Sequence, residues 1–160
     1  MLEKALANEF IDFFQGYLSF YKDFFQLESE KFEDISMNRL NKLDECVNRE
    51  EAFMLKSRGL EAERDRLVAK AGNPKATFKE LIPLFEPPQR EQIQQIYDEL
   101  YQVLRSFKEI NLRCNYLTEL RLRRVQADIK KLEKRPDLQK IYNARAKENN
   151  IHTSFISKKV

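Results

Sequence analysis

Few side chains in this chain are equipped for chemistry. One histidine is present, His152, and it lies near the C-terminal end. A di-iron helical bundle needs a pair of Glu-x-x-His motifs, so that class is excluded. Cys46 and Cys114 stand alone at a separation that fits no metal or redox motif, and both read as small reduced core residues. Gly16, Gly59 and Gly72 are isolated, and isolated glycines cannot build a phosphate-cradling loop. The many carboxylates fall on polar positions, where solvated surface is the ordinary reading. The expectation is a non-enzyme without a metal or a cofactor.

What remains is chemistry of recognition. Residues 110–131 read "INLRCNYLTELRLRRVQADIKK", with Asn111 and Asn115 four apart among leucines. A dry amide must find hydrogen-bond partners or cost stability. The pair is therefore either exposed or placed to meet something from outside the fold. A basic run follows directly: residues 121–135 hold seven Lys/Arg against two Asp/Glu. A solvated basic face, an acidic protein partner, an anionic membrane or nucleic acid would each fit such a helix. No aromatic side chain interleaves the arginines and no nucleic-acid module surrounds them, which weighs against the last two.

These residues need long helices to position them. The 160 residues are 42% hydrophobic and 34% charged, with only 3 Gly and 5 Pro, too few for the turns of a multi-stranded sheet. The length suits one domain that buries roughly 70% of the unfolded chain's surface. No run approaches the ~18 apolar residues of a membrane span. The opening "MLEKALANEF" lacks the basic and apolar regions of a secretory signal, so a cytosolic chain is expected. The net charge of +3 conceals a division. Residues 121–160 carry 12 Lys/Arg and 4 Asp/Glu, whereas residues 1–120 carry 17 and 22.

The first segment has the most regular pattern. Leu6, Phe10, Phe13, Tyr17, Phe20, Phe24 and Leu27 step by four and three. Beside them run Ile11, Phe14, Leu18, Tyr21, Phe25, Phe32 and Ile35, interrupted only by Glu28. Two adjacent seams predict a helix packed against at least two neighbours. A single rod over residues 2–71 would be ~105 Å long, so a reversal is expected near residues 34–38, with Ser36 or Asn38 capping the next helix. That second helix carries Leu40, Val47, Met54 and Val68 on one line, with Cys46, Phe53, Leu60 and Leu67 beside it. "AKAGNP" ends it, with Gly72 in the left-handed position.

Next, Thr77 and Glu80 form a capping box for a short helix that cannot pass Pro83. Pro87 or Pro88 then opens a third long helix. Its complete seam is Ile93, Ile96, Leu100, Val103, Phe107, Ile110, Cys114 and Leu117. A parallel line runs from Tyr97 through Tyr101, Leu104, Lys108, Asn111, Asn115, Thr118, Leu122, Val125 and Ile129 to Leu132. This line is apolar at both ends and polar in the middle. Arg135-Pro136 ends the helix. The expected organisation is an all-α bundle of three long antiparallel helices with short connecting and C-terminal helices. Residues 1–135 would form the bundle, and 136–160 a short helix and a flexible basic tail.

Three stretches carry a family resemblance. "FEDISMNRLNKLDECVNREEAFMLKSRGLEAERDRL" opens on Asp34-x-x-x-x-x-Leu40 and closes on Leu60-Glu61-x-x-Arg64-x-x-Leu67. "TFKELIPLF" is similar to a Thr-Leu-x-x-Leu-Leu connector, with Phe78 where an aliphatic residue is usual. "LRSFKEINLRCNYLTELRL" is similar to a helix in which spaced asparagines precede an aliphatic pair. On these residues, spanning roughly 2–132, the chain resembles the FlgN family of flagellar type III export chaperones. The segment after Arg135 lies outside the resemblance.

The resemblance implies a cytosolic chaperone that binds the C-terminal helices of hook–filament junction (hook-associated) proteins. It would keep them from assembling early and help deliver them to export apparatus components. Such helices would lay an apolar face into a groove. Here the third helix has surplus seam, and the expected partner-binding residues are Asn111, Asn115, Thr118, Leu122, Val125 and Ile129. Other readings are a stalk-like coiled-coil subunit of an export ATPase, a homo-oligomeric coiled coil, or a basic amphipathic protein on a membrane or nucleic acid. The capped helix and proline-rich corner at residues 72–88 argue against a plain coiled-coil hairpin.

Overall fold

A computed structural model describes the backbone of residues 1–148 and side chains to residue 145. The expected basic tail falls, beyond residue 148, outside the described residues, as does His152. The helices are α1 (Lys4–Ser36), α2 (Leu40–Lys70), α3 (Phe78–Leu81), α4 (Pro87–Glu133) and α5 (Pro136–Glu148), with a 3-10 turn at Ile82–Leu84 between α3 and α4. No strand occurs among the described residues. Two compact units divide the chain, Met1–Leu112 and a second beginning at Arg113, so the boundary falls within α4.

In the first unit the double seam of α1 does what its width requires. Phe10, Tyr17, Phe20, Phe24 and Leu27 are buried, and so are Ile11, Phe14, Leu18, Tyr21 and Ile35 from the second line. Phe13 is partly buried against the same core. α2 returns antiparallel to α1, as cross-helix contacts show: Lys31 meets Glu50, Tyr21 meets Ser57 and Lys70 meets Glu9. Its two apolar lines are buried unevenly. Cys46 and Leu67 on one and Val68 on the other are buried, Phe53 and Leu60 pack partly against the core, and Leu40 and Met54 are exposed.

The reversal falls at residues 37–39, but not by capping. Asn38 adopts a left-handed backbone (φ 56°), a conformation asparagine tolerates better than most residues. Ser36 donates its hydroxyl to the Phe32 carbonyl instead. Arg39 occupies the N-cap of α2 and makes no side-chain cap bond. The expectation of a Ser36 or Asn38 cap is therefore corrected: the asparagine bends the chain and leaves the helix start to other contacts.

The remaining connections follow local chemistry closely. Gly72 has φ 86° after α2. Thr77 and Glu80 form the reciprocal capping box, with the Thr77 N–H donating to Glu80 at 2.7 Å. Phe78 stacks on Phe14 at 3.8 Å between centroids, Phe85 meets Phe10 edge-on, and the Arg90 guanidinium donates to the carbonyls of Pro83 and Phe85. The connector thus closes one end of the unit. From Pro87, α4 runs parallel to α1, with Gln89 bonded to Asn8, Lys22 to Glu99 and Phe24 against Phe107. Ile93, Ile96 and Leu100 complete the core.

The second unit contains the rest of α4, from Arg113, and α5. Pro136 begins α5 after a break at residues 134–135, as the dihedral limits imposed on Arg135 require. Its side chains are mostly exposed, with Leu138, Ile141 and Tyr142 among them.

Candidate guest-helix surface

The two asparagines of the polar interruption lie in different units. In the first, Asn111 is half-buried and its amide donates to Glu28 Oε2 at 3.3 Å. Glu28 is the residue that broke the second seam of α1, and it is fully buried. Its carboxylate takes Lys31 at 2.7 Å, and Lys31 also reaches Glu50 of α2 at 3.1 Å. A cation between two buried carboxylates meets the requirement that buried charges be paired. Burial pushes the Glu28 carboxyl up, with Glu50 adding to the rise, while the hydrogen bonds of Lys31 and Asn111 oppose it. Burial pulls the Lys31 ammonium down, but hydrogen bonds and charge from Glu28 and Glu50 outweigh it and hold the group protonated.

The rest of the stripe belongs to the second unit. Asn115 and Thr118 are exposed, and the Thr118 hydroxyl donates to the Cys114 carbonyl one turn back at 2.8 Å, so it is satisfied within the helix. Leu122 is half-buried. Val125 and Ile129 keep 40% and 43% of their surface in water. Spaced at three and four, Leu122, Val125 and Ile129 present one apolar line along α4, continued by the half-buried Leu132. Such a line has the i, i+3, i+7 spacing that receives an amphipathic helix.

Two features were not anticipated from the pattern. The pairing of Glu28 with Lys31 and Glu50 joins a polar gap in one seam to charges on two helices, and the gap itself was the available signal. Tyr116 and Leu120 are exposed at 65% and 42% on α4, four apart just before the basic run. Cys46 is buried and its thiol, 3.4 Å from Asp34 Oδ2, is pushed up to about 11 by burial and by that hydrogen bond. It is a protonated core residue at neutral pH. Cys114 is buried and unoxidised as well.

Among the described residues no group of three or more His, Cys, Asp or Glu is placed to hold a metal ion, and no helix is long and apolar enough to cross a membrane. The family model described as FlgN protein matches residues 1–150. No curated protein and no solved structure matches the chain.

Proposed function

The chain belongs to the FlgN family, a family of flagellar export chaperones, and we propose that it binds the C-terminal amphipathic helices of hook–filament junction proteins in the cytosol. Binding would cover an apolar face that otherwise drives early assembly, and it would leave the guest deliverable to the export apparatus. The observation that carries this reading is the line Leu122, Val125 and Ile129, whose last two members remain about two-fifths exposed. A chain with a filled core in its first unit has no evident structural need for that surface. Asn115 and Thr118 flank the start of the line and offer polar contacts to a guest. Asn111, in the first unit, is bonded to Glu28.

Binding by a helix in a groove needs only a few apolar anchors at turn spacing, and polar neighbours set register more than affinity. The test is calorimetric titration of the full chain with a peptide from a junction protein's C-terminus, beside a peptide from the same protein's N-terminus. Saturable binding of the C-terminal peptide alone supports the reading. Binding of neither peptide, or of both equally, overturns it.

A further inference from the structure

Tyr116 and Leu120 lie on α4 away from the Leu122, Val125 and Ile129 line, because positions 116 and 120 differ from 122, 125 and 129 by spacings that turn them to another side of the helix. Ala127 continues their ridge at three- and four-residue steps through Arg123 and Arg124, and Lys131 follows one turn later. Every one of these residues is exposed. Arg123 already pairs with Glu119 one turn before it, so Arg124 and Lys131 carry most of the ridge's unneutralised charge. Two substantial apolar side chains with cations beside them make a narrow, mixed surface.

We propose that this ridge is a second docking surface of α4, and that its partner is an acidic amphipathic helix of another protein. Charge complementarity names the partner: Tyr116 and Leu120 supply apolar anchors, while Arg124 and Lys131 face carboxylates flanking the partner's own apolar seam. A lipid surface fits less well. An interfacial helix buries a broad apolar face, and sinking this narrow ridge would carry Arg124 and Lys131 out of water with it. Nucleic acid fits less well too, because Tyr116 is the one aromatic side chain on the ridge and stacking platforms use several. Because the ridge and the Leu122 line occupy different sides of one helix, α4 can hold this partner and the proposed guest together.

The test uses the full chain and a labelled three-heptad peptide with leucine on its seam and glutamate flanking it. Its counterpart has lysine in place of glutamate, and phosphatidylserine vesicles and a duplex DNA oligonucleotide complete the probes. Fluorescence anisotropy should show the acidic peptide binding and the lysine peptide failing to bind. Affinity should weaken about tenfold between roughly 50 and 300 mM salt. Arg124→Glu with Lys131→Glu should cost at least tenfold for the acidic peptide and transfer binding to the lysine peptide. The same double variant should bind the junction peptide as the parent does. Unchanged binding of the acidic peptide by the variant would overturn the proposal. So would vesicles or DNA binding more tightly than the peptide, or the acidic peptide failing to bind at low salt.

Discussion

Asn111 on α4 donates to Glu28 on α1 at 3.3 Å, and through that carboxylate it joins a chain of contacts that ends on α2. The contact bears on register. The seams of α1 repeat every seven residues, so a slip of one heptad would keep most apolar side chains against apolar neighbours. It would separate Lys31 from Glu50 and leave buried charge uncompensated. A polar cluster of this kind excludes alternatives that the apolar pattern alone permits.

Lys31→Met should therefore be expensive. Removing the cation leaves Glu28 and Glu50 facing each other in a dry site, and breaking a buried pair costs about 3 to 5 kcal/mol. Converting Glu28 and Glu50 to Leu along with Lys31→Met should recover most of that loss, since no buried charge then remains in the cluster. Urea denaturation of the single and triple variants measures both. A single variant as stable as the parent would mean that water already solvates the cluster.

Glu28 and Glu80, whose carboxyls shift in opposite directions, give stability a pH signature. Glu28 has its pKa raised above 4.5 by burial, so between 4.5 and its folded value the folded state binds more protons than the unfolded chain. Its contribution to stability then falls as pH rises through that window and grows as pH falls toward 4.5. Glu28→Gln removes this term. The parent's stability relative to Glu28→Gln should decline from pH 4.5 upward, and a difference that stays flat or rises would contradict the assignment.

At the other end of the unit, Glu80 is held below its ordinary value by the Thr77 N–H first and the Thr77 hydroxyl second. A lowered carboxyl contributes stability that is present above 4.5 and lost as pH falls through the folded value. Thr77→Ala should destabilise the chain by about 1 kcal/mol, the usual worth of an N-cap. It should also bring the Glu80 titration, followed by NMR, partway back toward 4.5. An unmoved titration would show that the N–H contact alone sets it.

Much of this fold is legible in the residues because local rules and the apolar period agree. The double seam of α1, the left-handed Gly72, the Thr77–Glu80 box and the break before Pro136 are each set by neighbours a few positions away. The reversal at residues 37–39 is less legible, since Asn38 serves it without Gly or Pro. The exposure of Leu40 and Met54 on α2 is not legible at all. Both keep the period of a core stripe, yet both are exposed, whereas Val68 on the same line is buried. The candidate site divides the same way. Its apolar line is visible in the spacing, whereas the Glu28–Asn111 bond depends on residues 83 positions apart.

Phe20 tests the aromatic core. It is 4% exposed and contacts the rings of Tyr21, Phe24 and Phe53, with Lys56 Nζ 5.5 Å over its face. Phe20→Ala should cost about 3 to 5 kcal/mol in chemical denaturation. A loss under about 1 kcal/mol would show that the face closes over the missing ring or is hydrated.

The last prediction concerns the guest line itself. Val125 and Ile129 are exposed enough that replacing them should spare the fold, while both would be buried beneath a bound helix. Val125→Ser with Ile129→Ser should leave helicity and thermal stability close to those of the parent. Each lost anchor should remove roughly 1 to 2 kcal/mol from binding of a junction-protein C-terminal peptide, and each 1.4 kcal/mol is about a factor of ten in affinity. Asn115→Ala should weaken binding less, by about 1 kcal/mol, the net value of one hydrogen bond. Leu122→Ser is the informative contrast, because its half-buried side chain should lower stability and affinity together. Calorimetry with the same peptide on all four forms separates the cases. Unchanged affinity in the Val125/Ile129 pair, alongside a loss of stability, would make this line part of the fold and move the guest to another face.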